Sequence, residues 1–219
     1  DDAVYLADIA KQGSQLQVAF VTDQYFSTKD QNSIDVDLNS SIESRNDLYL
    51  ASADIGDNGS LSDFTFELLS VDVDGFATGF VDKDFDSLPK ITNRGVYFSS
   101  DSSELVANDN NQSKDVFLSS SEGVQRIPIQ SVSEISSGAD FVGASDSGRV
   151  VFIKSSSQEF NGLPGVEQII QIDTLESSYK VLSNNNTLAD NTAITGEVSR
   201  SGGVLAFMSL ASNLVTNDN

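Results

Sequence analysis

A repeat with a period of about 55 residues constrains the fold of this chain more than any other feature. Three short apolar segments, Val96–Ser99, Val150–Ile153 and Leu205–Met208, start 54 and then 55 residues apart, and a turn-forming segment precedes each. A second match has the same 109-residue offset as Phe98 and Phe207. It aligns Ser102–Asn110 with Ala211–Asn219, with six of nine positions identical. A period of this length indicates a repeat architecture in which each unit is one supersecondary motif.

Each repeat reads as a buried strand followed by a polar loop and an outer hairpin. The predicted outer hairpins pair Asp115–Leu118 with Val124–Ile129, Glu167–Ile172 with Tyr179–Leu182, and Asp47–Leu50 with Phe64–Leu69. Runs such as Val150–Ile153 are apolar without alternation, which is typical of a strand covered on both faces. Four strands in roughly 55 residues, repeated, predict an all-β fold. The specific prediction is a β-propeller of about four blades, each a four-stranded antiparallel sheet.

Several segments resemble the PD40 repeats, which are WD40-like, of TolB-type β-propellers. The resemblance rests on the turn and aromatic strand around Asn93–Phe98, on Ser103–Asn110, and on Asp115–Leu118. It extends over residues 91–118, 145–172 and 199–219, although the usual Asp-Gly-Arg turn is degenerate in all three. The resemblance implies a propeller fold. It is a poor guide to function, because propellers of this type serve as periplasmic scaffolds, peptidase side domains and adhesin modules.

The first part of the chain departs from this pattern. We expect one domain over residues 1–219, with an atypical region at 1–90 and clear repeats at 91–219. Ala3–Ile9 and Leu16–Val21 read as a hairpin like the outer pair of a later repeat. Thr22 to Asn46, where inner strands are due, is mostly polar, with one alternating stretch at Ile34–Leu38 and one aromatic pair at Tyr25-Phe26.

The two ends of the chain suggest how a ring would close. Asp2–Leu6 resembles the strand that is due after Asn219. We therefore expect Val4–Leu6 to pair with the strand at Leu205–Met208 and complete its blade. The alternative is that the chain is a fragment of a larger propeller.

Charge and composition exclude several classes of function. The chain has 12 Lys+Arg against 33 Asp+Glu, a net charge of −21, which argues against nucleic acid and anionic membrane surfaces as partners. It has no cysteine and no histidine, which removes disulfides, Ser-His-Asp and Cys-His triads, and zinc sites built on those side chains. No apolar run approaches the length of a membrane-spanning helix.

Two groups of oxygen-bearing side chains are candidate Ca²⁺ ligands, because Ca²⁺ prefers hard oxygen donors in loops. The first group consists of Asn108, Asp109, Asn111 and Asp115. The second consists of Asp54, Asp57 and Asp63. The alternative interpretation is that these residues only form turns, in which Asp and Asn are common.

These observations predict a non-enzymatic β-propeller that acts as a scaffold or interaction module with protein partners. We expect an exported bacterial protein, periplasmic or extracellular, from which a signal peptide has been removed. Two alternatives stay open. One is a calcium-stabilised adhesin or extracellular matrix module, and the other is a carbohydrate-active enzyme that uses paired carboxylates.

Overall fold

The computed structural model describes residues 4–24, 26–28, 46–79, 81–82, 87–129, 135–160, 165–183 and 188–215. Over these ranges the chain is all-β, with four antiparallel sheets and a single turn of 3₁₀ helix at Gln158–Phe160. None of these ranges contains a helix long and apolar enough to cross a bilayer. The predicted strands at Ile34–Leu38 and at Tyr25 lie outside the described residues.

The four sheets follow one another along the chain. Sheet I contains β1 (Val4–Gln12), β2 (Gln15–Thr22), β3 (Asp47–Asp54) and β4 (Thr65–Leu68). Sheet II contains β5 (Lys90–Thr92), β6 (Gly95–Ser100), β7 (Asp115–Ser120) and β8 (Gly123–Arg126). Sheet III contains β9 (Asp140–Ala144), β10 (Val150–Ser155), β11 (Gln168–Asp173) and β12 (Ser178–Val181). Sheet IV contains β13 (Ala193–Val198) and β14 (Leu205–Ser209).

The strand pairing supports the repeat deduced from the sequence. The three predicted outer hairpins are present as β3–β4, β7–β8 and β11–β12. Phe152 on β10 pairs with Gly143, and Phe207 on β14 pairs with Gly196, so these two strands have the same register with their neighbours. Phe98 and Phe152 are buried, whereas Phe207 is half-buried. The second strands of sheets III and IV therefore repeat as expected.

The core lies between neighbouring sheets. One buried cluster joins sheets I and II and includes Val21, Leu48, Phe98 and Phe117. A second joins sheets II and III and includes Tyr97, Phe141, Ile153 and Ile170. Tyr97 and Phe98 are adjacent on β6 but belong to different clusters, because successive side chains on a strand point to opposite faces. This confirms that β6 is covered on both faces, whereas on β14 Met208 is 57% exposed.

The first sheet corrects the sequence interpretation. β1 and β2 are the first two strands of a complete four-stranded sheet, and they are not an outer hairpin. β2 pairs directly with β3 over the full length from Gln15–Asp54 to Thr22–Asp47. The sequence was misleading because the polar segment 23–46 separates β2 from β3. This connection is longer than the one that joins the equivalent strands β10 and β11 of sheet III.

The predicted closure between the ends of the chain is wrong within the described residues. Val4, Tyr5 and Leu6 pair with Thr22, Val21 and Phe20 of β2. β14 has β13 as its neighbour in the sheet order of the described ranges. The physical reason is that β1 is needed as the first strand of its own sheet.

The turn between the first two strands is built identically in sheets III and IV. Ser145 and Ser199 each accept a backbone N–H on the side-chain oxygen, from Val150 at 3.1 Å and Val204 at 3.0 Å. Gly148 and Gly202 each have a positive φ and donate the backbone N–H to the carbonyl of the same serine, at 2.8 Å. Serine and glycine at this spacing thus specify the turn.

Gly148 provides a test of how closely the sheets approach each other. Its φ is +69°, and a Cβ there would lie 2.7 Å from Thr92 Oγ1 on the neighbouring sheet. Gly13 has a φ of +62° with nothing within 4 Å of the equivalent position. We expect Gly13→Ala to cost only the left-handed backbone term of about 1–2 kcal/mol. Gly148→Ala should cost about 1–3 kcal/mol more, because it also overpacks the contact between sheets.

Urea unfolding of the two glycine variants measures this difference. Equal losses of unfolding free energy would contradict the close packing of the sheet II and sheet III turns.

Candidate functional site

The first strands of the four sheets lie side by side and enclose a cleft. β1 contacts β5, β5 contacts β9, and β9 contacts β13. We call the space between these four strands the central cleft. Every sheet contributes residues to it, so residues that are far apart in sequence meet there.

One cavity of the central cleft, of about 220 Å³, lies along the middle of the first strands. Its charged lining residues are Asp8 of β1, Lys90 of β5 and Glu197 of β13. The Asp8 carboxylate accepts the Ile91 backbone N–H at 2.9 Å and lies 3.3 Å from the Lys90 ammonium nitrogen. A register shift between Leu6 and Asp8 marks a bulge in β1, and bulges redirect side chains. Asp8 thereby joins sheet I to sheet II.

Asp8 and Glu197 are the two carboxylates of this cavity. They form the pair that the carbohydrate-active alternative would use as acid and base or nucleophile. Asp8 is already engaged by the Ile91 amide and the Lys90 ammonium. The carbohydrate-active alternative stays a prediction.

The turns at one end of the cleft are connected by backbone hydrogen bonds. The Asn93 N–H donates to the Asp146 carbonyl and the Asp146 N–H donates to the Arg200 carbonyl, each at 2.8 Å. The Gln12 side-chain amide donates to the Thr92 carbonyl at 2.9 Å. These bonds join sheet I to II, II to III and III to IV, so the turns form a continuous rim.

A second cavity, of about 230 Å³, lies at this rim. It shares Lys90 with the first cavity and is lined at its outer end by Lys11, Asp146 and Arg200. We call it the turn-end cavity. Three of its four ionisable lining side chains are basic, which is unusual in a chain with a net charge of −21.

An ion-pair network connects the sheets at the opposite end of the strands. Lys114 lies 2.7 Å from Asp82 and 2.9 Å from Asp140, which opens β9. Lys154 lies 3.6 Å from Asp140 and donates to the Ile194 carbonyl of β13 at 3.2 Å. Ile194 is the residue at the bulge of β13. The network therefore runs from the end of sheet I to the start of sheet IV.

The network shifts the pKa values of two of its members. Burial lowers the pKa of the Lys114 ammonium, but the hydrogen bonds that it donates to Asp82 and Asp140 outweigh burial and raise that pKa above 10.5. Burial raises the pKa of the Asp101 carboxyl, nearby Lys114 opposes the rise, and the charges of Asp82 and Asp140 add to it. Partial burial is therefore the main reason that the charged form of Asp101 is disfavoured.

The first group of predicted Ca²⁺ ligands is arranged around an arginine. The Arg126 guanidinium lies 3.1 Å from both Asp109 and Asp115, whose side chains are 3% and 0% exposed. Asn111 donates to Asp115 at 3.1 Å and to the Ile135 carbonyl at 2.9 Å. Asn108 adopts a φ of +69°, as a turn residue. The structure thus places Asp109, Asn111 and Asp115 close together. It adds Arg126, which the sequence did not indicate.

The repeat explains why Arg126 is there. The third strands begin with the buried polar residues Asp47, Asp115 and Gln168. Asp47 accepts a hydrogen bond from Ser70 at 2.9 Å, and Gln168 accepts one from Ser183 at 2.8 Å.

Sheet II has a proline at the position equivalent to these two serines. The bonds from Leu69 to Leu48, from Ile127 to Val116 and from Leu182 to Ile169 align the three hairpins and fix that position as Pro128. Proline has no hydroxyl group to donate, so the guanidinium of Arg126 takes over as the group facing Asp115.

The second group of predicted ligands forms a hairpin end. The Asp54 N–H donates to Ser62 Oγ at 2.8 Å, and Ile55 bridges Leu61. Gly59 has a φ of +80°, as the Asn58-Gly59 turn signal requires. Asp54, Asp57 and Asp63 are all exposed. These three residues therefore lie in and around a hairpin turn.

Calcium binding at the two groups stays a prediction. Over the ranges that the structure describes, no three acidic side chains are grouped closely enough to hold a metal ion. A melting temperature that rises with added Ca²⁺ in the unaltered chain, and not after Asp109→Asn, would establish a site at the first group.

The residues that line the turn-end cavity were not recognised from the sequence. Lys11 and Arg200 stand in or beside turns and are far apart in the sequence. The repeat in the sequence was the signal that could have indicated Arg200. Arg94, Arg149 and Arg200 all follow the first strand of their sheets, in a chain with only 12 basic residues.

Comparison with known proteins leaves the family open. No family model matches the chain, and no curated protein does. A cobalt-substituted apocarotenoid oxygenase from Synechocystis is similar in structure, with 15% identity and a TM-score of 0.34. A variant of that oxygenase is similar at 14% identity and a TM-score of 0.34.

The chain spans about half the length of these oxygenase structures. The matches cover 96% and 90% of this chain and 49% and 47% of the oxygenase chains. TM-scores this low carry no argument about function.

The ion-pair network predicts an effect of pH on stability. Because the pKa of Asp101 is raised on folding, its contribution favours the folded state at low pH and is lost as the pH rises through the folded pKa. Asp101→Asn should therefore raise the melting temperature at pH 7, and the gain should fade as the pH falls through the Asp101 pKa. Glu104→Gln removes the same charge from an exposed loop position and is the control. An equal gain in both variants would show a net-charge effect only.

The buried Arg126 contacts predict strong coupling. Arg126→Gln removes the cation that faces two buried carboxylates and should cost about 3–5 kcal/mol of unfolding free energy. Asp115→Asn leaves Asp109 as an acid for Arg126 and should cost less. The double variant should cost clearly less than the sum, because both halves of the interaction are removed together. Denaturant unfolding of the four proteins measures the coupling. Strictly additive losses would show that Arg126 and Asp115 do not depend on each other.

Proposed function

We propose that this chain is a non-enzymatic interaction module of the β-propeller type that binds a protein partner. In this proposal sheets I to IV are successive blades, and their first strands line the axis. The shared cleft and the repeated contacts between sheets support that arrangement. The resemblance of the repeats to PD40 sequences favours an exported, periplasmic or extracellular setting as part of the same proposal.

The observation that carries the proposal is a group of aromatic rings on sheet I. Sheet I packs against sheet II through one face, which includes Ala19 and Val21. The opposite face carries Phe20, Phe26, Tyr49 and Phe66, which we call the aromatic patch. Phe26 and Phe66 stack with ring centroids 5.3 Å apart, and they are 42% and 47% exposed. Phe20 and Tyr49 lie beneath them and are buried.

The aromatic patch continues toward the cleft. Val4 and Ile9 on β1 are each 56% exposed, and the register of β1 with β2 places Ile9 opposite Val18. Stacked aromatic rings with a rigid buried base are typical of the residues that dominate the binding energy of protein interfaces. Exposed apolar patches of this kind often mark the surfaces through which proteins bind other proteins.

The charge of the chain indicates what kind of partner fits. The aromatic patch requires an apolar contact surface on the partner. The net charge of −21 favours a partner with basic residues around that surface, since long-range attraction speeds encounter and suppresses wrong pairings. The proposed partner is therefore a protein with an apolar centre and a basic rim.

Site-specific crosslinking tests the proposal. A photo-reactive amino acid is placed at position 66, or at position 175 as a control, in the cells that produce the protein. Leu175 is 65% exposed and lies in the β11–β12 turn of sheet III. We expect one protein to crosslink at position 66 and not at position 175.

The partner that is identified by crosslinking is then purified, and its affinity for the chain is measured to complete the test. Phe66→Gln should weaken binding at least about tenfold, as for an aromatic hot spot, whereas Leu175→Gln should leave it unchanged. Equal crosslinking at both positions, or an unchanged affinity after Phe66→Gln, would contradict a partner site on the aromatic patch.

A further inference from the structure

The turn-end cavity brings basic side chains from three of the four sheets to one place. Lys11 comes from the end of β1, Lys90 from β5, and Arg200 from the turn between β13 and β14. Asp146, in the turn between β9 and β10, is the acidic residue of the lining. The backbone bonds from Asn93 to Asp146 and from Asp146 to Arg200 hold this rim in place.

The basic residues of this cavity differ from the others in their pairing. Five of the nine basic residues in the described ranges face an acid, as Lys114, Arg126 and Arg149 do. In the described ranges, the basic side chains without an ion pair are those of Lys11, Arg94, Lys180 and Arg200. Two of these four, Lys11 and Arg200, line the turn-end cavity. The chain has 33 acids to pair with, so leaving two cations unpaired in one cavity preserves a local positive charge.

We propose that the turn-end cavity binds a small oxyanion, namely a phosphate, a sulfate or a carboxylate. The guanidinium of Arg200 offers a planar fork of donors that matches two oxygens of such a group, and Lys11 supplies a mobile point charge. Lys90 shares its charge with Asp8, from which its nitrogen lies 3.3 Å away. The site therefore rests first on Lys11 and Arg200.

The size of the cavity limits the ligand. Its volume of about 230 Å³ is below the roughly 300–1,000 Å³ of pockets that hold drug-sized molecules. An inorganic anion or a small carboxylic acid fits this space. The oxyanion site does not depend on the aromatic patch, because it rests on Lys11 and Arg200, which are not part of that patch.

Isothermal titration calorimetry at low ionic strength tests the oxyanion site, with inorganic phosphate, sulfate and citrate as separate probes. We expect at least one of them to bind, and the ranking among the three identifies the preferred group. Lys11→Gln and Arg200→Gln should each weaken that binding about tenfold, the worth of one charge-assisted hydrogen bond. Lys180→Gln is the matched control, because it removes an exposed cation without an ion pair in the described ranges from the outer strand β12.

Removal of the acid from the lining should increase the affinity. Asp146→Asn removes the acid from the lining and should tighten binding of the same anion, while thermal melting checks that the fold is kept. The proposal is overturned if none of the three anions binds the unaltered chain. It is also overturned if Lys180→Gln weakens binding as much as Arg200→Gln does, or if Asp146→Asn leaves the affinity unchanged.

Discussion

The structure depends on strands whose two faces are both apolar and must both be covered. Tyr97 and Phe98 are neighbours on β6, and each is buried against a different sheet. A strand of this kind is stable only between two other sheets, since an uncovered face would leave large apolar side chains in water. The sheets therefore stack one after another, and the spacing of the chain into repeats of about 55 residues follows from the four strands that each layer needs.

The stacking of the sheets brings their first strands next to one another, and these strands supply the residues that line the cleft. Gly148 allows the turns of sheets II and III to approach closely, and the turns then connect through the Asn93, Asp146 and Arg200 backbones. At the other end, Lys114 lies within ion-pair distance of both Asp82 and Asp140. Of the nine basic residues in the described ranges, five form an ion pair with an acid. Lys11 and Arg200 are not among these five, and both line the turn-end cavity.

The sequence predicted the repeated parts of the fold well and the exceptions poorly. Phe152 and Phe207 could be aligned in advance because a repeated register demands repeated side chains, and both pair with glycine as equivalents should. The first sheet was misread because the segment before Asp47 hides the continuity of β2 and β3. Asp115 was predicted as a Ca²⁺ ligand, but its partner Arg126 depends on Pro128 replacing a serine, which is visible only once the hairpins are aligned in space. Lys11 and Arg200 meet through packing between sheets, and no local pattern encodes that contact.

Amide hydrogen exchange tests most directly whether the turns link the sheets. The Asn93 and Asp146 N–H groups lie in turns, where amides normally exchange quickly, but each donates to the next sheet at 2.8 Å. The Gly59 N–H, which bonds only within its own exposed turn, is the internal reference. Linked sheets predict that Asn93 and Asp146 exchange only with unfolding of several sheets, far more slowly than Gly59. Exchange of Asn93 and Asp146 as fast as that of Gly59 would contradict the linkage of the sheets through their turns.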